Sequence, residues 1–314
     1  MAEMVKKATR ESFGETVTAL AAEYPEIVVL DADLAAATKT GIFKKAYPER
    51  FFDCGIAECN MVGVAAGLAT CGKIPFAASF AMFSAGRAFE QVRNSVGYPK
   101  LNVKIVGSHA GISVGEDGAT HQCCEDIALM RTIPGMVILN PCDHYEMQAA
   151  VRAAVEHKGP CYIRLGRLAV ESINNNDDYK FELGKGITLR EGTDITVVAT
   201  GLMVQEAVKA ADALKEEGIS VEVINIHTIK PLDEELVIAS AKKTGRVITV
   251  EEHNIIGGLG EAVSTALSEH CPTPVTRIGV NDVYGHSGPA VDLLKEFGLS
   301  AEHIAEVIRV KLAK

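Results

Sequence analysis

The sequence lacks several patterns that would assign it to a class directly. Its 314 residues contain no uncharged apolar run of 18 residues, so no membrane-spanning helix is predicted. The net charge is −10, from 31 Lys and Arg against 41 Asp and Glu, and no long basic block is present. That balance argues against nucleic acid as the main partner. No strand is followed by a GxGxxG motif or a GxxxxGK[ST] loop, so neither nucleotide-binding fingerprint is present.

The eight cysteines form no CxxC pair and no Cys/His cluster with zinc spacing. This pattern is typical of buried thiols in a reducing compartment. The first residues, MAEMVKKATRESF, lack the apolar stretch of a secretory signal, and they have too few arginines for a transit peptide. We therefore expect a cytoplasmic protein.

Two α/β domains are predicted, because domains average roughly 150 residues. Apolar, β-branched runs alternate with segments of helical period such as ESFGETVTALAAEY and YEMQAAVRAAVEHK. This alternation is typical of a parallel sheet covered by helices. The runs that we interpret as strands of the first domain are EIVVLDAD, IPFAASF, LNVKIVGSHA, MVILNPCD and CYIRLG.

A polar stretch separates the two predicted domains. Residues 169–192 include SINNNDDYKF and the REGTD turn, so we predict a first domain over 1–168, a linker over 169–192 and a second domain over 193–314. The second, smaller α/β domain has its own strand-like runs, DITVVAT, SVEVINI, RVITVEE and VTRIGV.

Glu58 is the only charged residue in the stretch CGIAECNMVGVAAGLATC, residues 54–71. A carboxylate among small and apolar residues is a candidate functional group. The alternative is a helix-end carboxylate stabilised by the helix dipole. The small residues beyond it, including Gly63 and Gly67, would allow another helix or a subunit to approach closely.

Three phenylalanines are clustered in ASFAMFSAGRAFEQVRNSV, although aromatic residues make up only 5% of the chain. Phe80, Phe83 and Phe89 are predicted in or just after a strand. Core packing explains such a cluster, and so does an apolar platform under a planar ring ligand.

The segment SHAGISVGEDGATHQ, residues 108–122, has the composition of a loop but contains His109, Glu116, Asp117 and His121. It follows the strand-like run LNVKIVG, and α/β proteins bind ligands in loops at the carboxyl ends of parallel strands. The alternative is a solvated loop with incidental histidines. The composition favours a ligand-binding loop.

These segments carry a family resemblance. GIAECNMVGVAAGLA, SFAMFSAGRAF, SHAGISVGEDGATHQ and MVILNPCD, in this order and spacing, resemble the pyrimidine-binding and C-terminal domains of transketolase over essentially the whole chain. The family's GDG motif with its downstream asparagine is missing, and the nearest match, GEDG at 115–118, belongs to the other loop. The chain therefore resembles the C-terminal subunit of a split transketolase.

The resemblance implies a partner and a cofactor. An N-terminal subunit carrying the GDG motif would hold Mg2+ and the diphosphate of thiamine diphosphate, and the two chains would assemble into a heterotetramer. Glu58 would be the glutamate that hydrogen-bonds N1′ of the aminopyrimidine and shares a proton with it. Phe80 and Phe83 would enclose the pyrimidine, and Asp33 matches a family acid near the cofactor.

The resemblance also implies how a sugar phosphate is bound. Arg10 and Arg164 match phosphate-binding arginines, and His109 joins them at the mouth of the channel. A guanidinium fork suits a phosphate monoester. Where the family commonly has a phosphate-contacting serine, this sequence has Ala37, with Thr38 beside it as the candidate replacement.

The implied reaction is the transfer of a two-carbon ketol unit from a ketose phosphate to an aldose phosphate. Asp117 would contact a sugar hydroxyl, and His121 would lie close to the reacting two-carbon unit. Both residues belong to the glycine-rich loop, which is the most specific part of the resemblance.

Three other interpretations remain open at this point. Deoxyxylulose-phosphate synthase is similar around IAE and DGxTHQ, but it lacks a histidine at position 109 and normally has its diphosphate half in the same chain. The β subunit of a pyruvate dehydrogenase type decarboxylase has this length but lacks the GEDGxTH loop. A non-catalytic scaffold would have no use for Glu58, His109, Asp117 and His121.

Overall fold

The computed structural model describes residues 5–174 and 179–313. The helices are α1 Thr9–Glu23, α2 Ala35–Thr38, α3 Gly41–Ala46, α4 Glu58–Thr70, α5 Phe89–Gln91, α6 Asp126–Arg131, α7 His144–Glu156, α8 Met203–Lys215, α9 Glu234–Thr244, α10 Leu259–His270, α11 Ala290–Glu296 and α12 Ala301–Leu312. The strands are β1 Lys6–Ala8, β2 Ile27–Asp31, β3 Phe51–Asp53, β4 Ile74–Phe80, β5 Lys104–Ser108, β6 Val137–Leu139, β7 Cys161–Arg164, β8 Ala169–Glu171, β9 Ile187–Arg190, β10 Ile195–Ala199, β11 Val221–Asn225, β12 Thr228–Lys230, β13 Val247–Asn254 and β14 Val275–Val280.

The first sheet has seven strands in the order β12-β6-β7-β5-β4-β2-β3. All neighbouring pairs are parallel except β12 with β6. All five residues of β2 and all five of β5 are buried, as expected for strands covered by helices on both faces. The five strands predicted from the apolar runs are all present, and the α/β fold class is confirmed.

The second sheet has five strands in the order β14-β13-β10-β11-β9. Its strands are parallel except β9, which runs antiparallel to β11. Helix α8 covers this sheet with its apolar face, in which Val204, Ala207, Ala211 and Leu214 are buried. The four strand-like runs predicted for the second domain are therefore confirmed.

The chain crosses between the two sheets more than the sequence predicted. Strand β12 follows β11 of the second sheet but pairs with β6 at the edge of the first. Strands β8 and β9 lie inside the segment predicted as a linker, 169–192: β8 pairs with β1, and β9 pairs with β11. The division at 169–192 stays a prediction, and the structure adds ordered strands at both ends of that segment.

Most of the candidate site residues lie at one edge of the first sheet. Strands β2, β4, β5 and β7 are parallel neighbours, so their carboxyl ends meet at the same edge. These ends are Asp31, Phe80, Ser108 and Arg164. The loops that leave them contain most of the residues singled out from the sequence, at the edge where α/β proteins bind ligands.

All eight cysteines are free thiols, but their environments differ from the prediction. Cys123, Cys124, Cys142 and Cys161 are buried, three others are partly buried, and Cys71 is exposed. The prediction of uniformly buried thiols is therefore wrong for Cys71, which follows the last residue of α4. None of the helices within 5–174 and 179–313 combines the length and the apolarity needed to cross a membrane.

Candidate functional site

Aromatic rings form a wall at the carboxyl end of β4. Phe80 is the last residue of that strand, and Phe83 lies in the π-helical turn Met82–Arg87. Their ring centroids are 6.1 Å apart and their planes differ by 9°. The ring of His121 meets that of Phe83 edge-on, with 5.4 Å between centroids. Phe89 instead packs against the hydrophobic core, so the core-packing alternative holds for this third ring.

His109 continues the wall on the other side of Phe80. The two rings are stacked, with centroids 4.0 Å apart. The Nε2 atom of His109 lies 3.2 Å from Nη1 of Arg10, and its Nδ1 lies 2.9 Å from Oγ of Ser108. A guanidinium group can only donate, so Nε2 is the acceptor and Nδ1 carries the proton. Burial, followed by the charges of Arg10 and Arg167, lowers the pKa of His109 to about 3, so this imidazole is neutral at pH 7.

Arg10 links this wall to the segment that follows β2. Its Nη1 donates to the carbonyl oxygen of Ala37 over 2.9 Å. Thr38 does not offer its hydroxyl to the site: it is fully buried and donates to Asp31 Oδ2 over 2.8 Å. The suggestion that Thr38 replaces the family's serine is therefore wrong, because its hydroxyl proton is donated to the buried Asp31 carboxylate and not to a ligand.

Arg164 also departs from its predicted role. It is only 4% exposed, and its Nε and Nη2 donate to the two carboxylate oxygens of Asp126 over 2.8 and 3.2 Å. Tyr162 donates to the same carboxylate over 2.7 Å. Arg164 therefore neutralises a buried acid, and a side chain held in this way is not available at a channel mouth.

Arg167 is the arginine that the sequence analysis missed. Its side chain is 36% exposed and its Nη1 donates to Glu116 over 2.8 Å and also to the carbonyl oxygen of Val114. Its charge contributes to lowering the pKa of Arg10 and of His109, so it lies within electrostatic range of both. A signal was present: Arg167 comes three residues after the end of β7, whereas Arg164 is the last residue of the strand.

Glu58 begins α4, as the sequence predicted, and is 4% exposed. Oε2 of its carboxylate lies 3.8 Å from Nε of Arg87, whose side chain is 66% exposed. Arg87 is the last residue of the π-helical turn that carries Phe83. The carboxylate is thus sheltered, and its charged neighbour is a largely exposed side chain. Glu58 also stands at the positive end of the α4 dipole, so the helix-end role applies alongside any functional one.

Two further predicted residues are exposed. Asp117 lies in the tight turn between Gly115 and Gly118, both of which have positive φ. Asp33 has a φ of 61°, and its backbone N–H donates to Asp53 over 3.1 Å. Both carboxylates are therefore accessible at the edge of the first sheet.

A cleft of about 910 Å3 opens beside the ring wall. Phe83 and Arg87 line one side, Thr120 and Gln122 of the glycine-rich loop line another, and residues 282–285 of the second domain close it. Of the residues predicted for the site, Phe83 lines the cleft directly. The volume suits a small-molecule ligand.

The arrangement combines a flat apolar wall with a cationic end. The wall consists of stacked rings, which suits a planar heterocycle. Arg10 and Arg167 supply positive charge beside neutral His109, which suits an anionic head group. Within residues 5–174 and 179–313, no cluster of three His, Cys, Asp or Glu side chains could hold a metal ion.

Transketolase family models and relatives match this chain over nearly its whole length. The family model "Transketolase, pyrimidine binding domain" matches residues 5–172, and "Transketolase, C-terminal domain" matches residues 184–304. A putative transketolase C-terminal section of Methanocaldococcus jannaschii is 52% identical over 99% of this chain and 98% of its own length. Human transketolase is 39% identical over 98% of this chain, which spans 50% of the human protein. A solved structure described as a split gene transketolase, inactive beta4 tetramer, matches with a TM-score of 0.91 and 51% identity, covering 98% of this chain and 99% of that one.

Proposed function

Because the chain belongs to the transketolase family, we propose that it is the pyrimidine-binding subunit of an enzyme divided between two chains. Its reaction would be the transfer of a two-carbon ketol unit from a ketose phosphate to an aldose phosphate. One observation carries the proposal: the rings of Phe83, Phe80 and His109 follow one another from the cleft, which Phe83 and Arg87 line, to the guanidinium group of Arg10.

The cofactor side of the site fits an aminopyrimidine. Phe80 and Phe83 present nearly parallel rings, and Glu58 offers a sheltered carboxyl group to a ring nitrogen. Thiamine diphosphate, when bound, would supply the carbanion chemistry. Glu58 would hold or share a proton at N1′ of the pyrimidine, and Asp33 would lie at the edge of this region.

The substrate side fits a sugar with an anionic end. Arg10 and Arg167 would grip the anion with charge-assisted hydrogen bonds. His109 is neutral at pH 7, so it would add no charge to the grip on the anion. It would instead hold Arg10 in place by accepting a hydrogen bond at Nε2. His121, beside Phe83, would act close to the reacting two-carbon unit, and Asp117 would contact a sugar hydroxyl.

The second chain would supply what this sequence lacks. We propose an N-terminal subunit with the GDG motif as the source of the Mg2+ and diphosphate ligands, and a heterotetramer of two copies of each chain. A cytoplasmic enzyme of pentose phosphate metabolism is the corresponding cellular role. The human protein, which this chain matches over half its length, supports a division of this kind.

The test is a coupled assay of ketol transfer with this chain, a GDG-containing chain, thiamine diphosphate and Mg2+. We expect turnover with a ketose phosphate donor and an aldose phosphate acceptor from the mixture only. A parallel assay with a sulfonated ketose would show whether the cationic end accepts a second class of anion. Absence of transfer by a mixture that forms a stable complex would contradict the proposal.

A further inference from the structure

The glycine-rich loop is anchored to the second domain. The backbone N–H of Ser113 donates to Oε1 of Glu252 over 2.6 Å. Glu252 lies on β13 and is 4% exposed. Further along the loop, the Gln122 side chain donates to the carbonyl oxygen of His286 over 3.0 Å, and the N–H of Asn254 donates to the carbonyl oxygen of Cys124 over 2.7 Å. Two segments of the second domain therefore hold the loop.

The two arms of the loop are tied to each other near the same point. The N–H of Gly111 donates to the carbonyl oxygen of Cys123 over 2.8 Å, and the Gln122 side chain donates to Ile112 over 3.1 Å. His109 lies two residues before the first tie, and His121 directly precedes Gln122. Both histidines therefore lie within two residues of these ties, one of which is made to the short helical turn Ile112–Val114.

The loop is shaped around the Glu252 carboxylate. Gly111 has a φ of 85°, and a Cβ placed there would overlap the carboxylate of Glu252. Glycine therefore meets both a backbone and a space requirement at this position. The Ser113 N–H lies in the first turn of a helix, where backbone donors lack partners within the helix. The Glu252 carboxylate supplies that partner.

Glu252 is itself fixed by the first domain. Its carbonyl oxygen accepts from Nη2 of Arg164 over 2.8 Å, and Arg164 is paired with buried Asp126. Burial raises the pKa of Glu252, while Arg164 and the Ser113 N–H oppose that rise. The buried pair and the carboxylate therefore join β7, β13 and the loop in one polar network.

We infer that Glu252 is a positioning residue for the reaction: its carboxylate fixes the turn Ile112–Val114 and thereby the placement of His109 and His121 against the ring wall. The inference gives the second domain a role in building the site, beyond assembly. The expected effect of Glu252 on turnover rests on the proposed function, but the hydrogen bond by which Glu252 holds the loop does not. The two are therefore tested separately.

The first arm measures hydrogen exchange of the isolated chain by mass spectrometry. Glu252→Ala should raise exchange in peptides covering 108–122 at least about tenfold, with β4 and β10 unchanged, because the Ser113 N–H loses its acceptor. Glu252→Gln retains an acceptor oxygen and should change loop exchange less than about threefold. Glu251→Ala is the matched control: Glu251 is equally buried but accepts from Leu259 and Gly260 at the start of α10, so it should loosen that helix instead.

The second arm measures turnover of the reconstituted pair. Glu252→Ala should lower kcat at least about tenfold with little change in cofactor affinity, and Glu252→Gln should restore kcat to within about threefold of wild type. If Glu252→Ala does not fold, Glu252→Asp replaces it, since the shorter side chain keeps the charge and withdraws the acceptor. Unchanged loop exchange, exchange raised throughout the chain, or a released loop with unchanged kcat would overturn the inference. If the wild-type pair shows no transfer, the proposed function fails, and the exchange arm still decides whether Glu252 holds the loop.

Discussion

The two ends of the ring wall are built differently. At the end formed by the glycine-rich loop, Ser113, Gln122 and the chain around Cys124 have hydrogen-bond partners in the second domain, and residues 110–115 are buried. At the other end, Glu58 has Arg87 as its charged neighbour at 3.8 Å, and most of the Arg87 side chain is in solvent. Both ends carry residues that the sequence singled out, and those of the glycine-rich loop are held by hydrogen bonds to the second domain.

This difference indicates how the site is divided. The proposed substrate end is preorganised by contacts within the chain, which is how a site holds a side chain to the accuracy that catalysis needs. At the proposed cofactor end, Phe83 and Arg87 line an open cleft, and the Glu58 carboxylate lies beside Arg87. A second chain would complete this end, and the two ends should therefore respond differently to mutation.

The largest effect is expected at the buried pair behind the loop. Arg164→Ala leaves the Asp126 carboxylate uncompensated in the interior, which costs about 3–5 kcal/mol of unfolding free energy. Denaturant unfolding of the isolated chain measures this loss. Arg152→Ala is the control, because its pair with Glu23 is exposed and should contribute little. A loss no larger than that of the control would show that Arg164 is not structural.

The cofactor end is tested by Glu58→Gln. The variant should fold and assemble normally but lose at least about a hundredfold in kcat, the usual scale for a positioned proton-transfer group. Steady-state kinetics at saturating cofactor measure the loss, with Glu49→Gln, an exposed glutamate, as the control. Near-normal turnover would mean that Glu58 is only a helix-end carboxylate.

Arg167→Ala tests the substrate end at its surface. Removing one charge-assisted contact should lower kcat/KM for a phosphorylated acceptor by about ten- to a hundredfold, mainly through KM, and leave glycolaldehyde nearly unaffected. Arg167→Lys keeps the charge without the planar fork and should fall between these values. Equal losses on both acceptors would show that Arg167 holds the loop through Glu116 and not the substrate.

The smallest effect concerns the protonation of His109. Its pKa in the folded chain is lowered to about 3 from an ordinary 6.5, so the unfolded chain takes up a proton that the folded chain does not. Stability from this group is therefore present above pH 6.5 and is lost as the pH falls towards 3. In an NMR titration, His109 should stay neutral from pH 5 to 8. His286, whose pKa is raised by its hydrogen bond to Glu296, provides the internal comparison. A His109 midpoint near 6.5 would contradict the buried geometry.

The sequence predicted the parts of this structure that are governed by local pattern. Apolar runs indicated nine strands of the two sheets, and the isolated charge of Glu58 marked the start of α4. Strand β12 was not predicted, because its pairing with β6 depends on a long-range return of the chain. The sequence did not show that Arg164 is buried and Arg167 is partly exposed, because that difference depends on the residue at which β7 ends.

The partners of buried polar groups were equally invisible in the sequence. The sequence does not show that the Thr38 hydroxyl donates to Asp31. Glu252 lies 139 positions along the chain from Ser113, whose N–H donates to its carboxylate. The glycine-rich loop was recognisable because its composition is unusual. Its attachment to the second domain required the three-dimensional structure.

The central claim, that this chain carries one half of a divided site, is tested most directly by calorimetric titration with thiamine diphosphate in the presence of Mg2+. The titration is made with this chain alone, with a GDG-containing chain alone, and with the two mixed. We predict tight binding by the mixture and none by this chain alone, with ketol transfer appearing under the same condition. Tight binding and robust transfer by this chain alone would contradict the account.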